Sequence, residues 1–96
     1  MKNLINKAKK TLLDNRKKNY TLPTNNKLYP AQWNWDSAFI ALGYSYFNLN
    51  YALKEIQTLL KGQWKDGMVP HILFHNINNN YYPNHTAWNC GNKIHS

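Results

Sequence analysis

The sequence predicts an all-α chain, because apolar residues recur at helical spacing in three segments. These segments cover residues 2–18, 36–47 and 51–63, and polar or proline-containing stretches separate them. The chain has 96 residues, of which 43% are hydrophobic and 15% aromatic, so it can hold at most one small domain and is not typical of a disordered protein. We therefore expect residues 1–96 to form part or all of a single, mainly helical unit.

The first segment predicts an amphipathic helix with a basic outer face. Its apolar positions at helical spacing are Leu4, Ile5, Ala8, Leu12 and Leu13. Lysines occupy half of the remaining positions, which is typical of the solvated face of a packed helix. A helix that binds a membrane surface or a nucleic acid has the same pattern and stays open as an alternative. Residues 19–34 contain two prolines and predict an irregular connection.

The second and third segments predict an αα-hairpin. Helix two begins near Asp36, which with Ser37 can provide the N-cap, and Asn50 can cap helix three after a three-residue turn. The apolar face predicted for helix two contains Phe39, Ile40, Leu42, Gly43, Tyr46 and Phe47. The inner stripe predicted for helix three contains Ala52, Leu53, Ile56, Leu59, Leu60 and Gln63. Three charged residues of helix three are expected to point outward: Lys54, Glu55 and Lys61.

Residues 65–74 predict a tight turn followed by an extended segment. Gly67 can take the positive φ that the turn at residues 65–67 requires. Residues 68–74 are apolar, and Pro70 argues against a central strand there.

The charge of the chain is concentrated at its N-terminal end. The net charge is +8, but residues 1–27 hold eight of the 12 basic residues and residues 28–96 are nearly neutral. Nucleic-acid modules that stack bases interleave basic and aromatic residues, whereas here the two are segregated, so we expect neither a nucleic-acid nor a membrane partner. The single cysteine, Cys90, excludes an internal disulfide and favours a reducing compartment. Since no apolar leader or membrane span is recognisable, we expect a cytoplasmic location.

Residues 29–36 combine aromatic rings with short polar side chains. The sequence Tyr-Pro-Ala-Gln-Trp-Asn-Trp-Asp contains two tryptophans, a tyrosine and one carboxylate just before a predicted helix. Tryptophan offers a rigid apolar plane for a sugar ring, and a carboxylate accepts strong hydrogen bonds from hydroxyl groups. The same residues could instead be core aromatics and a helix cap. The segment alone therefore leaves a sugar pocket and a structural role both open.

Two blocks of sequence together resemble the bacterial members of glycoside hydrolase family 63. The first is residues 29–43, which contains the Trp-Asn-Trp-Asp-Ser motif, and the second is residues 62–75, which contains Gln-Trp-Lys-Asp-Gly-Met-Val-Pro-His. Either block alone would be weak, but their combination is specific. The resemblance covers residues 4–88 and is strongest to mannosylglycerate and glucosylglycerate hydrolases. Trehalases and mannosyl-oligosaccharide glucosidases are more distant relatives.

This resemblance implies a fold and a set of roles. The chain would supply the N-terminal helices of an (α/α)6 toroid, the six-hairpin glycosidase fold, as an incomplete N-terminal fragment of a single catalytic domain. Its substrate would be a small glucoside or mannoside such as glucosylglycerate or mannosylglycerate. The positions that match substrate-binding residues of the family are Tyr29, Trp33, Trp35, Asp36, Gln63, His71 and Tyr81. Asp36 would bind sugar hydroxyls, because the positive end of a helix favours an ionised carboxylate there and makes it unsuitable as a proton donor.

We expect no catalytic residue within the chain. Glycoside hydrolysis with inversion uses two carboxylates about 6.5–9.5 Å apart across the scissile bond. The chain has four acidic residues, and only Asp36 lies in a pocket-like sequence context. The isolated chain is therefore expected to be inactive. Because the helices would lack the neighbours that a complete toroid provides, we also expect exposed apolar patches.

Two further alternatives remain open from the sequence. His71, His75, His85 and Cys90 could in principle bind zinc, but their spacing matches no standard zinc pattern, so we expect no metal and no cofactor. A sugar-binding fragment without catalysis would use Trp33, Trp35 and Asp36 in the same way as the hydrolase.

Overall fold

The computed structural model describes residues 1–24, 28–76 and 81–90. The elements run in the order α1 (Lys2–Asp14), β1 (Gln32–Trp33), α2 (Asn34–Ser45), α3 (Leu49–Leu60) and β2 (Ile72–Leu73). Helices α2 and α3 pack against each other across a short turn, which confirms the predicted αα-hairpin. Helices dominate the described residues, as the sequence predicts. No described helix is long and apolar enough to cross a membrane.

Helix α1 is shorter than predicted because the chain turns back on itself after Asp14. The Lys17 amide donates to the Tyr20 carbonyl at 2.7 Å, and the Leu22 amide donates to the Asn15 carbonyl at 2.9 Å. These bonds replace the helical pattern over residues 15–22, a segment that we call the strap. The strap runs back past α3, where the Thr58 hydroxyl donates to the Asn19 carbonyl at 3.0 Å.

Both predicted helix caps are wrong. Helix α2 begins at Asn34 with Trp33 as its N-cap, so Asp36 lies in the first turn instead of at the cap. The start of α2 is fixed by main-chain pairing, because β1 leads directly into it. Helix α3 is capped by Asn48 instead of Asn50, and the Asn48 side chain accepts a hydrogen bond from the Tyr51 amide at 3.2 Å. Helix α3 also ends at Leu60, which leaves Gln63 outside it.

A small antiparallel sheet attaches the start of α2 to the extended segment. In this sheet Gln32 pairs with Leu73 and Trp33 pairs with Ile72. The Asn34 side chain continues the attachment by donating to the Pro70 carbonyl at 3.1 Å. The predicted turn before this segment is confirmed, since Gly67 has φ of 97° and donates its amide to the Trp64 carbonyl.

Tyr44 is the side chain around which the helices meet. It is fully buried in a cluster with Ala41 and Ala52, against which Leu12 of α1 also packs. Its hydroxyl donates to the Leu12 carbonyl at 3.0 Å, so the hydroxyl of Thr21 in the strap, 2.8 Å away, donates to it in turn. One tyrosine thus joins α1, α2 and the strap.

The predicted outward orientation of Glu55 is wrong. Its side chain is only 1% exposed and lies between α3, α2, β1 and the strap. One carboxylate oxygen accepts from the Thr21 amide at 2.8 Å, and the other accepts from the Ser37 hydroxyl at 2.7 Å. The Gln32 side-chain amide donates to the main-chain carbonyl of Glu55 at 3.0 Å. These donors are necessary, because a buried carboxylate without partners is strongly unfavourable.

The network continues from Gln32 to a buried histidine. Because the Gln32 amide nitrogen donates to Glu55, its oxygen accepts from Nε2 of His75 at 2.8 Å. The His75 ring stacks on Tyr20 with ring centroids 3.8 Å apart. Burial lowers the His75 pKa to about 4, so the ring is neutral at pH 7. Burial raises the Glu55 pKa to about 7, against the opposing effects of its hydrogen bonds and of Arg16.

The expected exposed apolar patches are confirmed. Helices α2 and α3 leave large hydrophobic side chains open to solvent, and these include Phe39, Leu42, Leu49, Leu53 and Leu60. Leu53, Leu60 and Gln63 are thus outside the buried stripe of α3, whereas Ala52 and Leu59 lie within it. No residue of α1 is fully buried.

The hydrogen bonds of Tyr44 predict a clear difference between two tyrosine substitutions. We expect Tyr44→Phe to lower the free energy of unfolding by about 1–3 kcal/mol, because it leaves the Leu12 carbonyl without its donor. Tyr46→Phe, at a side chain that is 84% exposed, is the matched control and should change it by less than about 0.5 kcal/mol. Urea unfolding followed by circular dichroism measures both values. Equal effects would contradict the joining role of Tyr44.

The two buried titrating groups predict opposite pH dependences of stability. The Glu55 pKa rises on folding from 4.5 to about 7, so its contribution to stability is full below pH 4.5 and declines as the pH rises to 7. The His75 pKa falls from 6.5 to about 4, so its contribution is full above pH 6.5 and declines as the pH falls to 4. Between pH 4.5 and 6.5 the two effects oppose each other.

We therefore expect the free energy of unfolding to vary little between pH 4.5 and 6.5 in the unsubstituted chain. In Glu55→Gln it should rise with pH, with a slope of up to about 1.4 kcal/mol per pH unit, and in His75→Gln it should fall with a similar slope. Urea unfolding at four pH values gives the slopes, which do not depend on how much each substitution destabilises the fold. Parallel slopes in the two variants would show that these groups are not buried as described.

Candidate functional site

A cavity of about 430 Å³ lies at the junction of the strap, β1 and α2. Its walls are formed by Pro23, Thr24, Tyr29, Trp33, Trp35 and Asp36. Four of the seven predicted site residues are therefore brought together in one cavity. Its volume is within the range of about 300–1,000 Å³ that is typical of small-molecule sites.

Adjacent elements position the side chains of this cavity. Trp33 ends β1 and is the N-cap of α2, while Trp35 and Asp36 lie in the first turn of that helix. The pairing of β1 with β2 and the bond from Asn34 to Pro70 fix where this turn begins. Because backbone hydrogen bonds set the start of α2, they also set the direction of the Asp36 carboxylate.

Tyr81 joins two of the cavity residues in an aromatic cluster. The ring centroids of Tyr29 and Trp33 are 5.6 Å apart in a T-shaped arrangement, and those of Trp33 and Tyr81 are also 5.6 Å apart. Tyr29 and Tyr81 are 6.5 Å apart. Burial raises the Tyr81 pKa and a smaller effect of Tyr29 adds to it, so its hydroxyl stays protonated and can donate. The cluster thus holds Trp33 between two tyrosines.

Trp35 and Asp36 line the cavity from the first turn of α2. Trp35 is 65% exposed and contacts Phe39 edge to face, with ring centroids 5.9 Å apart. Asp36 is half-buried in the first turn of α2, where the helix dipole favours negative charge. Within the described part of the chain no side chain forms an ion pair with Asp36. Its oxygens can therefore accept hydrogen bonds from a ligand.

Gln63 and His71 do not line this cavity. Gln63 donates its side-chain amide to the Gly67 carbonyl at 2.7 Å and so stabilises the turn that follows α3. The His71 ring lies 5.8 Å from Trp88, and its carbonyl accepts from the Asn34 amide at 2.9 Å. His71 thereby helps to fix the start of α2 through its backbone. Contact of either side chain with a sugar stays a prediction.

The sequence analysis missed the buried network behind the cavity, although a signal for Glu55 exists. Glu55 falls between Ala52, Ile56 and Leu59 at the i, i+3, i+4, i+7 spacing of a single helix face. That spacing places it on the inner stripe of α3, but its charge and the neighbouring Lys54 suggested a solvent face. No local sequence pattern indicates that Thr24 lines the cavity.

The described residues that line the cavity offer binding groups but only one carboxylate. Asp14 is exposed and paired with Lys10, Asp66 lies in the exposed turn, and Glu55 is sealed from solvent. The arrangement is therefore suited to holding a polyhydroxylated ring and lacks the carboxylate pair that hydrolysis requires. Among the residues that the structure describes, no group of three or more histidine, cysteine, aspartate or glutamate side chains could hold a metal ion.

Comparison with known proteins gives a consistent result. Residues 29–96 match the model of the mannosylglycerate hydrolase MGH1-like glycoside hydrolase domain. The chain is 42% identical over 86 residues to mannosylglycerate hydrolase MGH1 of Selaginella moellendorffii, which covers 90% of this chain and 17% of the relative. It is 44% identical over 61 residues to the glucosylglycerate hydrolase of Mycolicibacterium hassiacum, covering 64% of this chain and 14% of the relative.

The fold also matches solved structures of the same family. The GH63 mannosylglycerate hydrolase of Thermus thermophilus, in complex with Tris and D-glycerate, superimposes with a TM-score of 0.77 at 44% identity. The match covers 83% of this chain and 20% of that enzyme. GH63 enzymes are helical toroids, so the predicted helical fold class and family resemblance are both confirmed.

The chain thus spans about a fifth of the length of the relatives that it matches. Within that span, the fold and the two sequence blocks at residues 29–43 and 62–75 match the same group of enzymes. The chain belongs to the MGH1-like family of glycoside hydrolases.

Proposed function

We propose that the chain contributes part of the sugar-binding subsite of a glycoside hydrolase that acts on a small glucoside or mannoside, such as glucosylglycerate or mannosylglycerate. The observation that carries this proposal is the cavity that Tyr29, Trp33, Trp35 and Asp36 line together. The names of the relatives support the substrate class, and one matching enzyme was solved with D-glycerate bound.

The chemistry of the cavity fits a sugar ring. Aromatic faces bury the apolar C–H face of a pyranose, and the exposed position of Trp35 leaves its ring accessible. Asp36 would accept hydrogen bonds from two adjacent hydroxyl groups, each strengthened by its charge. Tyr81, held protonated beside Trp33, could donate a further hydrogen bond.

Within the whole enzyme, residues 1–96 would form the N-terminal part of a single (α/α)6 catalytic domain. We assign no catalytic residue to the chain, because Asp36 is the only carboxylate among the described residues that line the cavity. The general acid and the general base would come from other parts of that domain and face the sugar from the opposite side. The exposed apolar faces of α2 and α3 fit contact with its further helices. A cytoplasmic location fits a chain with one cysteine.

A second candidate is a sugar-binding fragment without catalysis. A cavity whose described lining combines three aromatic side chains with one carboxylate favours it for the isolated chain. The two candidates share the binding residues and differ only in whether a bond is cleaved.

Sugar binding predicts a specific effect of removing one charge. We expect the 96-residue chain to bind mannosylglycerate with a change in tryptophan fluorescence, and Asp36→Asn to weaken this binding by roughly 10- to 100-fold, as for loss of hydrogen bonds to a charged group. Asp14→Asn removes an equivalent charge far from the cavity and is the matched control, which should bind like the unsubstituted chain. Equal affinities of all three proteins would contradict the proposed subsite.

A separate prediction concerns catalysis. The isolated chain should be inactive, whereas its residues should support hydrolysis within a complete enzyme. The isolated chain should release no mannose from mannosylglycerate. A chimera in which residues 4–88 replace the matching segment of the Thermus thermophilus enzyme should hydrolyse it, and Asp36→Asn in that chimera should lower kcat/KM by roughly 10- to 100-fold through lost binding energy. Release of mannose in a coupled assay measures both. Hydrolysis by the isolated chain would refute the assignment of the catalytic pair elsewhere.

A further inference from the structure

Glu55 lies behind the wall of the cavity and contacts three separate segments of the chain. Its partners are the Thr21 amide in the strap, the Gln32 side chain on β1 and the Ser37 hydroxyl in α2. All of these partners are buried, as is Glu55 itself. β1 and α2 supply wall residues themselves, and the strap leads directly into the wall residues Pro23 and Thr24.

The strap segment places the first part of the wall. The Thr21 amide donates to Glu55 at 2.8 Å, and the wall residues Pro23 and Thr24 follow directly along the chain. The Thr21 hydroxyl contacts Tyr44, so this residue is held on two sides. A shift of the Glu55 carboxylate would therefore move the strap where it enters the cavity.

The β1 segment places the aromatic part of the wall. Gln32 donates to the Glu55 carbonyl at 3.0 Å and lies 3.5 Å from its carboxylate. The next residue is Trp33, whose ring is packed between Tyr29 and Tyr81. The contacts of Gln32 with Glu55 thus fix the position of β1, and with it the position of the Trp33 ring at the cavity.

The α2 segment places the carboxylate of the cavity. The Ser37 hydroxyl donates to Glu55 at 2.7 Å, and its neighbour in sequence is Asp36. Successive helical residues point about 100° apart, because an α-helix has about 3.6 residues per turn. The hydrogen bond of Ser37 to Glu55 therefore fixes how the first turn of α2 is rotated about the helix axis. This rotation directs Asp36 into the cavity.

We propose that Glu55 is the positioning residue of the sugar cavity, and that it aligns the wall through Thr21, Gln32 and Ser37. This inference rests on the proposed function for the identity of the ligand. The alignment of the cavity wall by Glu55 depends only on contacts within the protein. Glu55 is not a catalytic residue, since it is buried and does not line the cavity.

The groups around Glu55 make its charge state sensitive to pH. Tyr20 from the strap and Tyr44 from α2 face it as neutral phenols, whose pKa values are raised mainly by burial and further by the Glu55 charge. Arg16, which stacks on Tyr51 at 3.7 Å, is the positive group that acts on it, and His75 beyond Gln32 is neutral. The carboxylate accepts hydrogen bonds on both oxygens, whereas a protonated carboxyl would have to donate one. Protonation would therefore change the alignment of the wall.

The test compares three variants of the full 96-residue chain: Glu55→Gln, Glu55→Ala and, as the control, Thr58→Val. Gln can accept from the Thr21 amide and donate to the Ser37 hydroxyl, so it keeps the fold and imitates the protonated state. Thr58→Val removes a part-buried hydrogen bond that the same helix makes to Asn19 in the strap, and it leaves all hydrogen bonds of Glu55 in place.

Nuclear magnetic resonance provides a readout that needs no ligand. In the unsubstituted chain we expect the Trp33 indole N–H and the Asp36 amide to shift with pH with the same midpoint as the Glu55 carboxyl carbon. The shifts should vanish in Glu55→Gln and persist in Thr58→Val. If the Trp33 and Asp36 signals shift equally in Glu55→Gln, or do not follow Glu55 at all, the positioning role is wrong.

Affinity for mannosylglycerate provides the second readout. It should fall roughly 3- to 10-fold between pH 8 and pH 6 in the unsubstituted chain, as for loss of one hydrogen bond, and stay constant at the lower value in Glu55→Gln. Glu55→Ala should bind at least roughly tenfold more weakly, whereas Thr58→Val should bind normally. Weakening by Thr58→Val equal to that in Glu55→Gln would overturn the proposal. If no protein binds the sugar but the signals of Trp33 and Asp36 still follow Glu55, the proposed function fails and the positioning role stands.

Discussion

The buried carboxylate of Glu55 is the interaction that organises this chain. Transfer of a carboxylate from water to a protein interior is unfavourable unless hydrogen bonds replace its hydration. Here the Thr21 amide and the Ser37 hydroxyl donate to the two carboxylate oxygens at 2.8 and 2.7 Å. The Gln32 side-chain amide, which donates to the Glu55 main-chain carbonyl, adds a longer contact of 3.5 Å to the carboxylate. Because each donor must be in place at once, the carboxylate permits few alternative arrangements of the strap, β1 and α2.

The same network extends from the carboxylate to an uncharged histidine. Gln32 connects Glu55 with His75, and burial shifts the pKa values of these two groups in opposite directions relative to the ordinary range. The side-chain nitrogen of Gln32 donates to the Glu55 main-chain carbonyl, and its side-chain oxygen accepts from Nε2 of His75. Neutral His75 and partly ionised Glu55 therefore belong to one buried polar network, which reaches Tyr44 through Thr21.

The apolar surface of the chain relates it to the larger enzymes of its family. Helices α2 and α3 bury small residues such as Ala41 and Ala52 against each other and leave Phe39, Leu42 and Leu53 exposed. An apolar helix face that remains open is typical of a segment that packs against further helices. This is consistent with the helical toroid of the relatives, of which the chain spans about a fifth.

The helices, the αα-hairpin, the family and the aromatic segment with Asp36 could all be predicted from the sequence. These features depend on local spacing and on the identity of neighbouring residues, which a sequence displays directly. The caps of α2 and α3 could not, because Trp33 and Asn48 take those positions through main-chain pairing and turn geometry. The burial of Glu55 and the packing of Tyr81 on Trp33 became apparent only in the folded chain. The interior tolerates the charge of Glu55 only because donors from three distant segments converge on it, and no local pattern of residues specifies that convergence.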